Sequence, residues 1–163
     1  MTGKVLTYSP KDVKLIIAGY TVGGLISVTV SWNQPRFKVI RGAYGKITRV
    51  RNFDTGATMR VELLQTAIGN TIFSDLVSLD HETDGGKCEI TLKDLSGKSI
   101  IFSDEAYCEN FAEVRYSGDF DNRVWTFNLN RTSGSAVASN ERTVTDVLSS
   151  IGDKVSDVVN NIF

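Results

Sequence analysis

Cysteine, histidine and proline are all scarce in this chain, and each shortage removes a class of protein. Its two cysteines, Cys88 and Cys108, lie far apart with no Cys-x-x-Cys pair, which excludes a disulfide framework and leaves them as small buried hydrophobes. With His81 as the single histidine, a structural zinc site lacks the close-spaced ligand pairs it draws on, so neither a metal nor a cofactor is expected. Long apolar runs are missing as well. The longest, Leu15 to Ala18, is far short of the roughly 20 residues of a membrane helix. The N-terminal Met1-Thr-Gly-Lys-Val-Leu-Thr-Tyr-Ser-Pro10 turns polar before a signal core of about 7–15 apolar residues forms. A soluble chain assembled in a cytoplasm is the expectation.

What is present suits one globular domain: 163 residues, 41% hydrophobic and 23% charged. The net charge is −1, yet the charges are sorted along the chain. From residue 36 to 60 the cations Arg36, Lys38, Arg41, Lys46, Arg49, Arg51 and Arg60 face one acid, Asp54. From residue 75 to 121 the sign reverses, with acids such as Asp80, Glu82, Asp84, Glu109 and Asp121 far outnumbering Lys87, Lys93, Lys98 and Arg115. Single charges coat solvated faces, but opposite blocks in one chain suit a molecule that stacks on copies of itself.

Hydrophobic spacing predicts a mainly β chain. Val13 to Tyr20 and the turn Thr21-Val-Gly-Gly24 read as a first hairpin. Leu25 to Trp32 alternates, with Ile26, Val28, Val30 and Trp32 on one face and Ser27, Thr29 and Ser31 on the other. Arg36 to Arg51 reads as a long basic hairpin arm with no face apolar enough for the core. Ala57 to Gln65 alternates again, with Met59, Val61 and Leu63 opposing Thr58, Arg60 and Glu62. Residues 66–80 switch to helical spacing and form the one central helix. Lys87 to Leu95 and Lys98 to Ser103 read as a second hairpin, and Phe111 to Tyr116 and Val124 to Asn130 complete the sheet. Residues 132–142 read as a flexible small-residue linker between a β domain, 1–131, and a C-terminal amphipathic helix, 143–163. That helix carries Val144, Val147, Leu148, Ile151, Val155, Val158, Val159 and Ile162 on one stripe, a candidate partner contact.

No catalytic constellation emerges. Gly97-Lys98-Ser99 has Leu92 where a phosphate loop needs its first glycine, and strand follows instead of helix. Asp80-x-Glu82-x-Asp84-Gly85 opens like a calcium loop but carries Thr91 at the twelfth position. His81 has no placed nucleophile beside it, and Asn130-Arg-Thr132 is a glycosylation acceptor only on a secretory route. The chain is read as a non-enzyme.

The block Phe37…Gly42-Ala-Tyr-Gly45-Lys-Ile-Thr48-Arg49-Val-Arg51-Asn-Phe-Asp54…Ala57-Thr58-Met-Arg-Val61-Glu62-Leu63-Leu-Gln65-Thr66…Asn70…Leu76 resembles the tail-tube proteins of contractile-tailed bacteriophages. Tyr8-Ser-Pro10, the early hairpin and the late Arg123-Val-Trp125-Thr-Phe127 strand extend the resemblance over about residues 5 to 131. It implies a β-sandwich or barrel-like fold with one helix. It also implies six copies closing into a ring around a continuous inner barrel, and rings stacking into a hollow virion tube through which the genome is ejected. The implied partners are further copies of the chain, the tail sheath protein, the baseplate, the tape-measure protein, and DNA passing without specific binding; no membrane is involved. A pyocin or type VI secretion tube is the alternative, as is a β-rich baseplate binding module, although Trp32 and Trp125 fall on core faces rather than in an aromatic site. Within this frame the lumen-facing candidates are Ser27, Thr29, Ser31, Thr58, Glu62, Thr126, Asn128 and Asn130, with Arg60 the exception on its strand. The candidates for an arm that stacks ring on ring are Arg36, Lys38, Arg41, Lys46, Arg49 and Arg51.

Overall fold

Alternation is strictest between Ala57 and Leu63, where every second side chain is buried, and the sheet is built outward from that strand. The computed structural model describes residues 8–138 and 144–162, with side chains in the last segment described from 152 to 161. Residues 1–7 of the expected β domain, 139–142 of the linker, and 143 and 163 of the terminal helix lie outside the described residues, as do the side chains of Val144, Val147, Leu148, Ile151 and Ile162. A short 3-10 turn, Pro10–Asp12, leads into β1 (Val13–Ile17), β2 (Tyr20–Thr21), β3 (Leu25–Trp32), β4 (Phe37–Arg41), β5 (Ile47–Arg51) and β6 (Ala57–Leu63). Then come α1 (Gly69–Thr83), β7 (Cys88–Asp94), β8 (Ile100–Cys108), β9 (Arg123–Arg131) and α2 (Val144–Ile162). The protein is mainly β, as expected. Seven strands form one antiparallel sheet in the order β2-β1-β7-β8-β9-β6-β3, and β4 and β5 form a separate two-stranded ribbon. Among the described residues the sheet is open, ending on β2 and β3, and is not a closed barrel.

The apolar face of this sheet is sealed by α1. Phe73 projects from the helix and meets Trp125 and Phe127 edge to face, with centroids 5.6 and 5.0 Å apart. Around them Leu15, Ile17, Met59, Val61, Leu63, Ile90 and Leu129 are fully buried. Burying a side chain such as Phe73 contributes about 1.5–3 kcal/mol, and each aromatic pair adds about 0.5–1.5 kcal/mol. One polar residue fixes the helix against this core. Asn70 Nδ2 donates to the carbonyls of Leu64, Gln65 and Ala67 at 2.9, 3.2 and 3.1 Å, fastening the β6–α1 connection. Its Oδ1 accepts the indole N–H of buried Trp125 at 2.9 Å. At the far end of α1, Gly86 approaches so closely that a Cβ there would lie 2.3 Å from Asp80 Cβ.

Several sequence expectations shift in register or fail. The central helix runs from Gly69 to Thr83 rather than 66 to 80, because Gln65 to Ile68 turn to meet Asn70. The first hairpin turns at Ala18 and Gly19, with φ of 51° and 80°, not at residues 21–24. Positive φ at both central residues is what a two-residue turn between twisted strands demands, and Ala18 adopts it without being glycine. Ile26 is exposed: the register slips between Leu25 and Ser27, so Leu25 takes the inward position assigned to its neighbour. Phe111 to Tyr116 forms no strand. Both flanks of β9 are already occupied, by β6 and β8, so the segment cannot pair beside that strand. β8 instead runs on to Cys108, and residues 109–122 form a loop.

After β9 the small-residue run continues along β8. Ser133 N–H donates to Phe102 O at 3.2 Å, and Ile100 and Ala136 exchange N–H to carbonyl bonds at 2.9 and 2.7 Å. Replacing the residue that joins helix to sheet should be costly. Asn70→Ala strands the buried Trp125 N–H and removes the side-chain donor shared by the carbonyls of Leu64, Gln65 and Ala67, so urea unfolding should show a loss of about 2–4 kcal/mol; Asn70→Asp keeps an acceptor for Trp125 but turns a carboxylate oxygen toward those carbonyls, so it should be destabilising as well.

Candidate functional site

The face of the sheet opposite α1 is polar, and the strand register shows how it is tiled. Reading across β3, β6 and β9, the rows are Ser27–Glu62–Val124, Thr29–Arg60–Thr126 and Ser31–Thr58–Asn128. Directly opposed residues of antiparallel strands share a face, so all of these point the same way, and Asn130, two residues beyond Asn128, joins them. All eight residues expected on the polar face are therefore brought together on it. Cross-strand bonds knit the face: Ser27 Oγ donates to Glu62 Oε2 at 3.1 Å, Asn122 Nδ2 to Glu62 Oε1 at 3.0 Å, and Thr58 Oγ1 to Asn33 Oδ1 at 3.0 Å. Asn128 Nδ2 reaches the hydroxyl of Tyr107 at 3.1 Å and Glu109 Oε1 at 3.4 Å. At one end the 109–122 loop borders a shallow cleft of about 450 Å³ with Arg60, Glu62 and Val124 on its floor and Glu113, Arg115 and Phe120 on its rim.

The basic arm is a ribbon exposed on both sides. Phe37 pairs with Arg51, Val39 with Arg49 and Arg41 with Ile47 on one face, while Lys38, Ile40, Thr48 and Val50 occupy the other, and every one of these residues is exposed. The Arg49 guanidinium lies 4.2 Å from the centre of the Phe37 ring, a cation–π contact. Among the described residues the ion pairs are Lys87–Glu105, Arg115–Asp121 and Arg131–Asp104, none of them in the arm. Asp54, the acid near the arm, uses Oδ1 to accept the Gly56 N–H at 2.9 Å. The base of the arm is tied to the sheet by buried Thr132. Its hydroxyl donates to Thr55 O at 2.7 Å and accepts from Trp32 Nε1 at 3.2 Å and Arg36 Nη2 at 3.5 Å.

A second cleft, of about 570 Å³, opens between the last turns of α1 and the end of β8. Asp80, Glu82, Asp84 and Glu109 line it, with His81 and Cys108. Its acids do not form a calcium loop, since Asp80 and Glu82 are inside α1 and Asp80 Oδ1 accepts the Gly86 N–H. Among the described residues no cluster of His, Cys, Asp and Glu is arranged to hold a metal ion.

No protein-family model matches the chain. "Structural protein ORF10" of Pseudomonas phage KPP10 is 31% identical over 144 residues, covering 82% of this chain and 83% of that protein. The chain belongs to the family of this phage structural protein. Among solved structures, the tube-terminating cap of the anti-feeding prophage superposes with a TM-score of 0.59 at 11% identity, over 83% of this chain and 97% of that one. The two share a fold. The sheath/tube terminator of an extracellular contractile injection system, PVC, gives a TM-score of 0.49 at 12% identity, over 80% and 98%.

This phage-family fold also uses residues that spacing alone did not single out. Val124 sits on the polar face opposite Glu62, a position its alternation with Trp125 implies. Tyr107 and Thr132 carry no such signal: β8 was expected to end at Ser103, and Thr132 lay in an apparent linker. Both thiols are held toward their neutral form, Cys108 the more strongly because it is buried and Cys88 only half-buried. Burial pushes Cys108 up to about 12, and burial followed by the nearby Asp80 carboxylate pushes Cys88 up from its ordinary value. The Arg131 guanidinium holds the Asp104 carboxyl below its ordinary value. Iodoacetamide at pH 8 should therefore leave Cys108 unmodified in the native protein and alkylate both cysteines once urea unfolds it; rapid native labelling of Cys108 would contradict the burial-raised thiol.

Proposed function

We propose that the chain is a ring-forming component of a contractile phage tail, with its polar sheet face lining the conduit and its basic arm docking on the next ring. The observation that carries this reading is the arm: a two-stranded ribbon whose only charges are cations, exposed on both faces. Such a ribbon is marginal alone, and its mix of Phe37, Val39, Ile40 and arginines suits a surface that is both apolar and acidic. A matching charge lies elsewhere on the same chain: Asp80, Glu82, Asp84 and Glu109 line the cleft between the last turns of α1 and the end of β8, apart from the arm, whose base is tied down beside Thr132. Unlike surfaces of opposite charge on one chain suit head-to-tail stacking rather than self-complementary pairing.

The polar face supports the conduit half of the proposal. Phosphates bind cations through counterion release, so a wall built from Ser, Thr and Asn with Arg60 offset by Glu62 would let DNA slide. The β3 edge, eight residues long and unpaired among the described residues, is the place where neighbouring copies would continue the sheet. Six copies per ring, the sheath, baseplate and tape-measure contacts, location in the virion and the absence of catalysis come from the tail-tube resemblance. A relative named as a structural protein agrees with that direction. A second reading, a ring that caps a tube and ends it, is favoured by the fold shared with a tube-terminating cap.

Negative-stain microscopy of the purified protein separates the two, since a tube subunit stacks into filaments of open length and a terminator stops at single rings. Exposed ion pairs contribute about 0–1 kcal/mol each, but ring addition repeats every contact in each copy. Arg49→Glu with Arg51→Glu should therefore abolish filaments while leaving a folded β spectrum, and added salt should weaken wild-type stacking in the same direction. Filaments that form equally well from the double variant at every ionic strength would rule out the arm as the stacking element.

A further inference from the structure

The C-terminal helix α2 is amphipathic in a particular way. Val144, Leu148, Ile151, Val155, Val158 and Ile162 follow one another at intervals of four, three, four, three and four residues, the alternation of the a and d positions of a heptad. Leu148, Val155 and Ile162 then occupy a, and Val144, Ile151 and Val158 occupy d. No charge falls at a or d: Asp146 and Asp153 take f and Asp157 takes c, all outward positions, and Lys154 takes g on the border of the seam. The helix also carries Gly152, which costs about 1 kcal/mol relative to alanine and leaves so short a helix marginal in isolation. Yet the part of the seam described in the structure is open, with Val155 and Val158 exposed at 55% and 56% and Val159 beside them at 46%.

We infer that α2 is an oligomerisation element whose partner is α2 of other copies of this chain, packed parallel and in register as a coiled-coil bundle. Identity of partner follows from the pattern. A seam of a/d spacing, widened by Val147 at g and Val159 at e, finds its knobs-into-holes complement in copies of itself, and acids confined to c and f keep like charges apart when parallel copies meet. The bundle has more than two strands, because two-stranded parallel coils favour leucine at d and here all three d residues are β-branched. Attachment to bodies that already neighbour one another raises the local concentration of so short a seam. The inference goes beyond the ring proposal and does not depend on rings stacking into tubes.

Cysteine placement in the full chain tests it. Val155→Cys puts a thiol at an a position and Asp153→Cys puts one at f on the same helix, while the native Cys88 and Cys108 supply the background in the unsubstituted protein. Under mild oxidation, the Val155→Cys chain should give covalently linked pairs on a non-reducing gel at least roughly tenfold faster than the Asp153→Cys chain, since only seam positions bring Cβ atoms within disulfide reach. Equal rates at the two positions, or no linked species from Val155→Cys, would overturn the inference; the second is also what α2 docked on its own body would give. Rings seen by microscopy without a link at 155 would leave the ring proposal standing and remove this one. A link at 155 without rings would do the reverse.

Discussion

Asn70 is the joint between the two layers of this protein. Its amide holds the carbonyls of the β6–α1 connection while its oxygen holds the Trp125 indole, so the start of the helix, the end of β6 and the middle of β9 are set by one side chain. Phe73, one turn later, is thereby delivered between Trp125 and Phe127. With α1 seated, the apolar face of the sheet is closed, and hydrophobic burial holds everything else in register. The opposite face is left for something other than a core.

That one-sidedness links fold to function. A sheet covered on a single face retains its open edge, its polar face and whatever loops its ends project. Here the edge is β3, the polar face is the tiling of Ser, Thr and Asn with Glu62 and Arg60, and the projection is the β4–β5 ribbon tied down through Thr132. Each feature is a liability in an isolated molecule. An unpaired strand invites adventitious pairing, and an exposed ribbon with apolar residues on both sides invites aggregation. A symmetric assembly of the kind proposed above would resolve both at once.

Much of this was legible in the sequence where burial is periodic. β6 and β9 were placed to within a residue or two, and the eight polar-face residues were identified because strict alternation leaves each side chain one choice of face. The basic arm was legible from the opposite signal, a stretch with no sustained apolar face. The failures lie where tertiary competition decides. Phe111 to Tyr116 has the composition of a strand but finds both flanks of β9 occupied. Ile26 has the right parity for the core and loses its place to Leu25 through a one-residue slip. Thr132 lies among small residues that look like a tether, and its role arises from Thr55, Trp32 and Arg36, distant in sequence. The turn at Ala18 and Gly19 is hidden in the sequence by the denser glycine pair Gly23-Gly24 downstream.

The claim that most depends on assembly is that the open sheet continues from copy to copy through β3. Hydrogen–deuterium exchange read residue by residue over Leu25 to Trp32 addresses it directly, because the amides on the outer edge of this strand have no partner strand among the described residues. In the dispersed chain those outward amides should exchange rapidly while the ones facing β6 stay protected. In the assembled form the outward amides should become protected to the same degree. Outward amides that exchange equally fast in both forms would contradict a continuous sheet and with it the ring.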